Sequence, residues 1–479
     1  MDPLPRWELN WDGLRADFPH VSGQGPLIRP SNELDHMTFQ ALRGFRDYLP
    51  PEAGRRTSLF ATMRKTARLY GFVEIETPSV ESLELFKVKS GEGIVEETFA
   101  FKDKGDRDVC LISENTPALA RLFSERSKSI PLPVKWMALP KLWRYEEPQS
   151  GRTREFTQLS LDIYGVPGRE AEVELLSAAK GILDAIGLRD KYEFRIFDRR
   201  ITEALGERLG VGDMGAFFRA MDRYRKASVT EFSSDLARAG VSQEGQQRLT
   251  DLISRSERRE PAEAILQELS RWDLSEEGRH GIENLRGILG SADAAGLSGT
   301  LVLDLTLVRG LAYYTSTVFE AFGTAVATRA WFGGGRYDRL IELFGGGSVP
   351  ACGLAMGDQT LEIILRELDQ WTRQTTSVDV YVACASAELR GEARRLVQEL
   401  RSRGVPTDHD LLERTLSGQL KDANRRTARM LVIVGTREMA EGKVTVRNMR
   451  TGQQQVVPVG EVPAAVTSPE DGPPVQTPE

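Results

Sequence analysis

The chain has 479 residues, 40% of them hydrophobic and 28% charged, a balance expected of globular domains with real cores, and its length predicts two to four of them. A net charge of −7 does not announce a nucleic-acid partner, so any RNA contact must rest on a local basic surface. The three cysteines, Cys110, Cys352 and Cys384, lie far apart and the four histidines are scattered, so neither disulfide pairing nor a metal site is expected.

In chain order, residues 1–38 hold several Pro and Gly without periodicity and read as a poorly ordered extension. It lacks an apolar run behind a basic start, and nowhere does the chain reach the roughly 20 apolar residues of a membrane span, so a cytoplasmic protein is expected. Thr57–Tyr70 has helical spacing through Leu59, Phe60, Met63 and Ala67 and stops at Gly71. Phe72–Glu76 and Phe156–Tyr164 alternate as strands, and Glu170–Ile186 reads as a helix. From about Gly206 to Ser298 the pattern turns charged and helical, as in an inserted subdomain. Strand patterns return at Thr300–Leu307 and Thr315–Phe322, before an apolar helix at Leu361–Leu368. Asp369–Ser377 reads as a linker. Beyond it, VDVYVAC, a helix over Ala387–Arg403, MLVIVG and GKVTVRNM alternate strand and helix, which predicts an α/β domain with a parallel sheet. The tail from 463 is Pro-rich and expected to be disordered.

Trp143–Gly165, WRYEEPQSGRTREFTQLSLDIYG, carries the most chemistry. Arg144, Arg152 and Arg154 flank the turn-forming PQSG, so a hairpin can aim three guanidinium groups into one cleft, where paired hydrogen bonds suit phosphates. On the returning strand Phe156, Gln158, Ser160 and Asp162 share one face, putting an aromatic, an amide and a carboxylate in a row. Alone, the segment suits a nucleotide cleft or a charged hairpin at a sheet edge equally well.

Together with other segments it resembles something specific. WRYEEPQSGRTREFTQ is similar to motif 2 of class II aminoacyl-tRNA synthetases, in the version found in histidyl-tRNA synthetases. LVRGLAYYTSTVFEAF (307–322) resembles that family's histidine motif, usually RGLDYY. WFGGGRYDRL (331–340) resembles its Gly-rich strand, and FVEIETPSVE (72–81) its motif 1, with Pro78 in place. The matches keep family order from about Arg43 to Val459.

The resemblance implies an α+β fold: an antiparallel sheet flanked by helices over 39–205 and 300–368, a helical insertion over 206–299, and an anticodon-binding-like α/β domain over 377–462. It implies an enzyme that uses ATP and Mg2+ to activate L-histidine and charges tRNA(His), as a homodimer. By motif position Arg144 and Arg309 would hold the α-phosphate, Glu146 the adenine amino group, Arg152 the γ-phosphate, and Phe156 would stack on adenine. Glu114, Thr116, Gln158, Asp162, Tyr313 and Tyr314 would surround histidine together with Arg309, although adjacent tyrosines on a strand would point opposite ways, leaving Tyr313 either in the pocket or in the core. The basic run KDANRRTAR (421–429) suits RNA contact or a solvated helix face.

Three departures stand out. Ala312 replaces the Asp of RGLDYY, Ile112 the arginine of LRPE, and Thr360 stands where motif 3 usually ends in an ATP-gripping arginine. They leave open a second reading, a synthetase paralogue acting as a regulatory subunit or as a histidine or tRNA sensor. The C-terminal domain argues against the regulatory form, which lacks it.

Overall fold

The computed structural model describes residues 40–90, 92–149, 151–308, 313–324, 330–371 and 378–467. Gln40–Leu42 group with the preceding residues, and everything below concerns the unit from Arg43 onward. Arg309 and Ala312, the extension 1–38, and most of the expected linker lie outside the described residues.

The first part of the chain forms α1 (Glu52–Leu69), β1 (Val73–Glu74), β2 (Val80–Ser82), α2 (Leu83–Ser90), β3 (Ala100–Lys102), β4 (Asp108–Leu111), α3 (Thr116–Arg126), β5 (Val134–Ala138), β6 (Lys141–Trp143), β7 (Glu155–Tyr164), α4 (Glu170–Ala185) and β8 (Tyr192–Asp198). Helices α5 (Arg199–Arg208), α6 (Met214–Arg223), α7 (Val229–Arg238), α8 (Gln243–Glu257), α9 (Ala262–Ser270) and α10 (Glu276–Ser291) follow. The chain then returns with β9 (Leu301–Leu303), β10 (Thr317–Gly323), β11 (Phe332–Arg336), α11 (Leu340–Leu343), β12 (Ala351–Gly357) and α12 (Asp358–Glu367). The last part holds β13 (Val380–Cys384), α13 (Arg390–Ser402), β14 (Thr407–His409), α14 (Leu416–Arg425), β15 (Met430–Val434), α15 (Thr436–Ala440), β16 (Lys443–Asn448), β17 (Gln454–Pro458) and α16 (Val462–Thr467).

The main sheet runs β1-β5-β7-β12-β11-β10-β8-β9, with β6 also on β7. Its pairs are antiparallel except β1 with β5 and β8 with β9. This is the antiparallel-rich α+β architecture the sequence predicts. α1 buries Leu59, Met63 and Ala67, one residue per turn, before Gly71 (φ 75°) ends it. α4 is locked to the sheet by charge: Glu172 is fully buried and Arg336 of β11 meets it at 2.7 and 2.5 Å, while the same guanidinium bonds the carbonyls of Val166 and Gly168. Every donor facing a partner is what makes such a pair tolerable away from water. The expected strand over Thr300–Leu307 is shorter, because Asp304 turns the chain by accepting from the Thr306 N–H and hydroxyl.

Three corrections concern the C-terminal domain. Its sheet, β14-β13-β15-β16-β17, is mixed rather than parallel: the last two strands form antiparallel hairpin partners joined through 449–453, too short for a crossover helix. Residues 463–467, expected in the disordered tail, are helical instead, since α16 buries Val462, Pro463 and Val466, and the rest of that tail lies outside the described residues. The linker's first part is also anchored, with Trp371 buried and its indole donating to Glu52 at 2.8 Å.

The basic run 421–429 is less free than its sequence suggests. Asp422 on α14 is buried and receives Arg414 at 2.8 Å, Arg426 at 3.1 Å and Arg425 as well. Burial pushes its carboxyl up, but the three arginines more than reverse this and hold it at about 2, below the usual 3.8. A depressed carboxyl contributes stability that is present above about pH 4 and lost as pH falls towards 2. Asp422→Asn should therefore lower the stability of this domain at pH 7 by about 1–3 kcal/mol, and should flatten its acid unfolding between pH 4 and 2, followed by circular dichroism.

Candidate active site

One cleft of about 540 Å³ opens over the middle of the main sheet, lined from β7, β10, β11, β12, α12 and the loop 144–154. Its floor depends on glycine. A Cβ on Gly334 would lie 2.3 Å from the Gly353 carbonyl, one on Gly335 would lie 2.6 Å from the Thr317 carbonyl, and one on Gly353 would lie 2.5 Å from the Asp162 carboxylate. Of these, Gly353 lines the cleft itself, while Gly334 and Gly335 let β11 pack closely against its neighbours.

At one end stands the 144–154 loop. β6 pairs with β7 through Trp143 and Glu155, and a Gln149–Arg152 bridge closes the tip around Gly151 (φ 68°). Arg144 donates from Nε to the Ser113 carbonyl at 3.0 Å and lies 5.2 Å over the Phe156 ring, with Glu146 4.0 Å away. Arg152 meets Glu146 at 3.4 Å. Arg144, Glu146, Arg152 and Phe156 thus share one wall. Arg154 does not join them, contrary to the three-arginine expectation. It stacks 4.2 Å over Tyr145 and donates to the Glu146 carbonyl, because its backbone is tied to Gly44 outside the cleft.

At the other end Glu114, Thr116, Gln158, Asp162, Tyr313 and Tyr314 converge. Gln158 and Asp162 follow the predicted period-2 face of β7. Tyr313 and Tyr314 both line the cleft, rings 4.7 Å apart, rather than pointing opposite ways, since β10 starts only at Thr317 and the strand rule does not reach them. Asp162 is buried and accepts from the Tyr337 hydroxyl. Burial, with that carboxylate beside it, pushes the Tyr337 phenol well above its ordinary range, so it remains a neutral donor.

Sequence reasoning missed Tyr337, Glu320, Asp222 and Gln359, all of which line the cleft. A glutamate inside the apolar strand TVFEAFG was a usable signal for Glu320, and a tyrosine directly after GGGR one for Tyr337. Nothing local pointed to Asp222, which α6 brings over the cleft from the helical segment. Thr360 sits on the first turn of α12 and lines the cleft.

The family profile described as histidyl-tRNA synthetase matches residues 44–361, and that of an anticodon binding domain matches 379–468. The chain belongs to the histidyl-tRNA synthetase family. A histidine–tRNA ligase of Halorubrum lacusprofundi is 37% identical over 433 residues, covering 89% of this chain and 97% of that protein. One of Thermoplasma volcanium is 36% identical over 442 residues, covering 89% and 98%. Among solved structures, a histidyl-tRNA synthetase of Nostoc superposes with a TM-score of 0.78 at 22% identity, over 90% of this chain and 99% of that one, which shows the shared fold.

In this member of the family the close packing at Gly353 makes a direct prediction. Gly353→Ala would place a methyl 2.2 Å from the Tyr337 oxygen. Calorimetric unfolding should show a loss of about 1–3 kcal/mol, the usual cost of overpacking.

Proposed function

We propose that the chain is a histidine–tRNA ligase that activates L-histidine with ATP and transfers it to tRNA(His). The observation carrying this reading is that the 144–158 segment and the 313–337 segment, far apart in sequence, line one cleft as complementary halves: arginines with an aromatic face at one end, carboxylates and tyrosines at the other.

A histidine carboxylate oxygen attacks the α-phosphorus of ATP, the bond to the bridging oxygen breaks, and pyrophosphate leaves. The protein positions the reactants and neutralises charge growing on the phosphate. Arg144 holds the α-phosphate, with Arg309 as its partner. Phe156 stacks on adenine, Glu146 accepts from its amino group, and Arg152 reaches the γ-phosphate. Glu114, Thr116 and Gln158 hold the α-amino end of histidine. Asp162, oriented by the Tyr337 hydroxyl, accepts from the imidazole N–H beside Tyr313 and Tyr314. A buried polar pocket of this kind rejects ligands that leave its groups unpaired. Mg2+ would enter on the triphosphate oxygens, the usual mode of this small, hard, strongly hydrated cation at nucleotide sites. The C-terminal domain contacts tRNA, and a tRNA substrate puts the enzyme in the cytoplasm, where translation runs. No helix of the described residues is long and apolar enough to cross a membrane.

Histidine-dependent pyrophosphate exchange tests the reading, and silence in folded protein would favour the regulatory or sensor paralogue instead. Arg309→Ala should slow adenylate formation about 10²–10³-fold in single turnover, with Arg309→Lys only partly restoring it because an ammonium lacks the planar fork. An unchanged rate would remove Arg309 from the reacting centre.

The homodimer reading rests on motif 1. β1 is an edge of the main sheet and carries the exposed Val73, with Leu69 exposed at the end of α1 and Val80 exposed on β2, apolar residues that a second copy would cover. Light scattering should give twice the chain mass of 53.4 kDa at micromolar concentration.

A further inference from the structure

The segment just before α1 touches both elements that face the phosphate end of the cleft. On one side Gly44 accepts from the Arg154 N–H at 2.8 Å, in a left-handed backbone conformation (φ 88°) where a Cβ would lie 2.7 Å from the Arg154 side chain. Phe45 packs edge-on against Phe99, 5.9 Å between centroids, and Phe99 against Tyr145 at 5.2 Å. Arg43 pairs with Glu147 at 2.8 Å. On the other side Tyr48 receives the Gln359 side-chain amide at 2.9 Å, and Gln359 lines the cleft on the first turn of α12 while Tyr48 itself does not. Two cations pack on the Tyr48 ring, Arg56 at 3.9 Å and Arg46 at 4.7 Å. Those arginines pair in turn with α12: Arg56 with the buried Asp358 at 2.5 Å, Arg46 with Glu362 at 3.2 Å.

The run Arg43–Tyr48 therefore straps the 144–154 loop to α12. This matters because Thr360 leaves α12 without the long cationic side chain that the motif usually carries. What α12 still presents to the cleft is Gln359 and Thr360, directly after Gly357 at the end of β12. Short polar groups bind a phosphate chain only if they already stand in place, since they cannot reach for it.

We propose that Tyr48 is a positioning residue for the triphosphate end of the ATP site, acting through Gln359 and clamped by Arg46 and Arg56. This rests on the reading of the cleft as an ATP site. Tyr48 does not touch the nucleotide. Its hydroxyl holds the Gln359 amide, and its ring, stacked with two arginines that are salt-bridged to α12, sets where the first turn of that helix stands relative to the 144–154 loop.

The test is calorimetric titration of the full chain with Mg·ATP, without histidine. Tyr48→Phe keeps the ring and both cation contacts and removes only the hydroxyl. Its Kd for ATP should rise about three- to tenfold, the worth of one neutral hydrogen bond. The Kd for histidine should be unchanged. In a Gln359→Leu background, adding Tyr48→Phe should change the ATP Kd less than about twofold, because the two groups act as one unit. Equal losses in both backgrounds, an unchanged ATP Kd in the single variant, or parallel weakening of histidine would each overturn the proposal. Pyrophosphate exchange by the unaltered protein separates the two readings. ATP binding without exchange overturns the ligase and leaves Tyr48 standing, whereas no ATP binding at all overturns both.

Discussion

The cleft depends on a constraint of space at the centre of the main sheet. β11 and β12 lie next to each other with glycine at 333, 334, 335 and 353, and their backbones approach what would otherwise be side-chain territory. Glycine in a strand costs conformational entropy and packs nothing, so strands avoid it unless something must come close. Here that something is a carboxylate and a phenol. Gly353 pairs with Asp162 on β7, and the missing Cβ is what lets the Tyr337 hydroxyl reach that carboxylate.

A sheet thinned in this way needs support from elsewhere, and charge supplies much of it. Arg336 closes the glycine strand and is immobilised by Glu172 and two carbonyls, so the strand's end is pinned to α4. Removing either partner would strand a buried charge, at a cost of about 3–5 kcal/mol. The helical segment is docked by the same means, with Arg225 and Arg259 reaching Asp304 and Glu193 at the far edge of the sheet. That docking also brings Asp222 over the cleft. The same logic subdues the C-terminal arginines, which neutralise Asp408 and Asp422 and leave less free positive charge than the string KDANRRTAR suggests.

The departures at Ile112 and Thr360 are spread differently from the residues that remain. Ile112 is fully buried among Leu83, Phe86, Cys110 and Leu142, so this position contributes apolar packing where the motif has an arginine. Thr360 lines the cleft, where α12 is tied by Arg46 and Tyr48 to the segment before α1 and by Arg56 to α1 itself. Burial raises the Asp358 carboxyl while Arg56 opposes it, so this junction relies on the arginine staying in place.

By itself the sequence determined the pieces whose cause is local. The spacing of Leu59, Met63 and Ala67, the alternation along β7 and the turn at Gly151 are set by periods of 3.6 and 2 and by glycine's tolerance of positive φ, and each can be read without knowing the neighbours. The face carrying Phe156, Gln158 and Asp162 was legible for the same reason. Only the tertiary structure decided which distant residues meet. Arg154 left the cleft because Gly44 holds its backbone, Tyr313 joined Tyr314 because the strand begins three residues later, and Tyr337, Gln359 and Asp222 entered through contacts between segments 100 or more positions from β7 or carried on another helix layer. The mixed C-terminal sheet was likewise hidden, since a parallel and an antiparallel partner ask the same alternation of a strand and differ only in the connection between them.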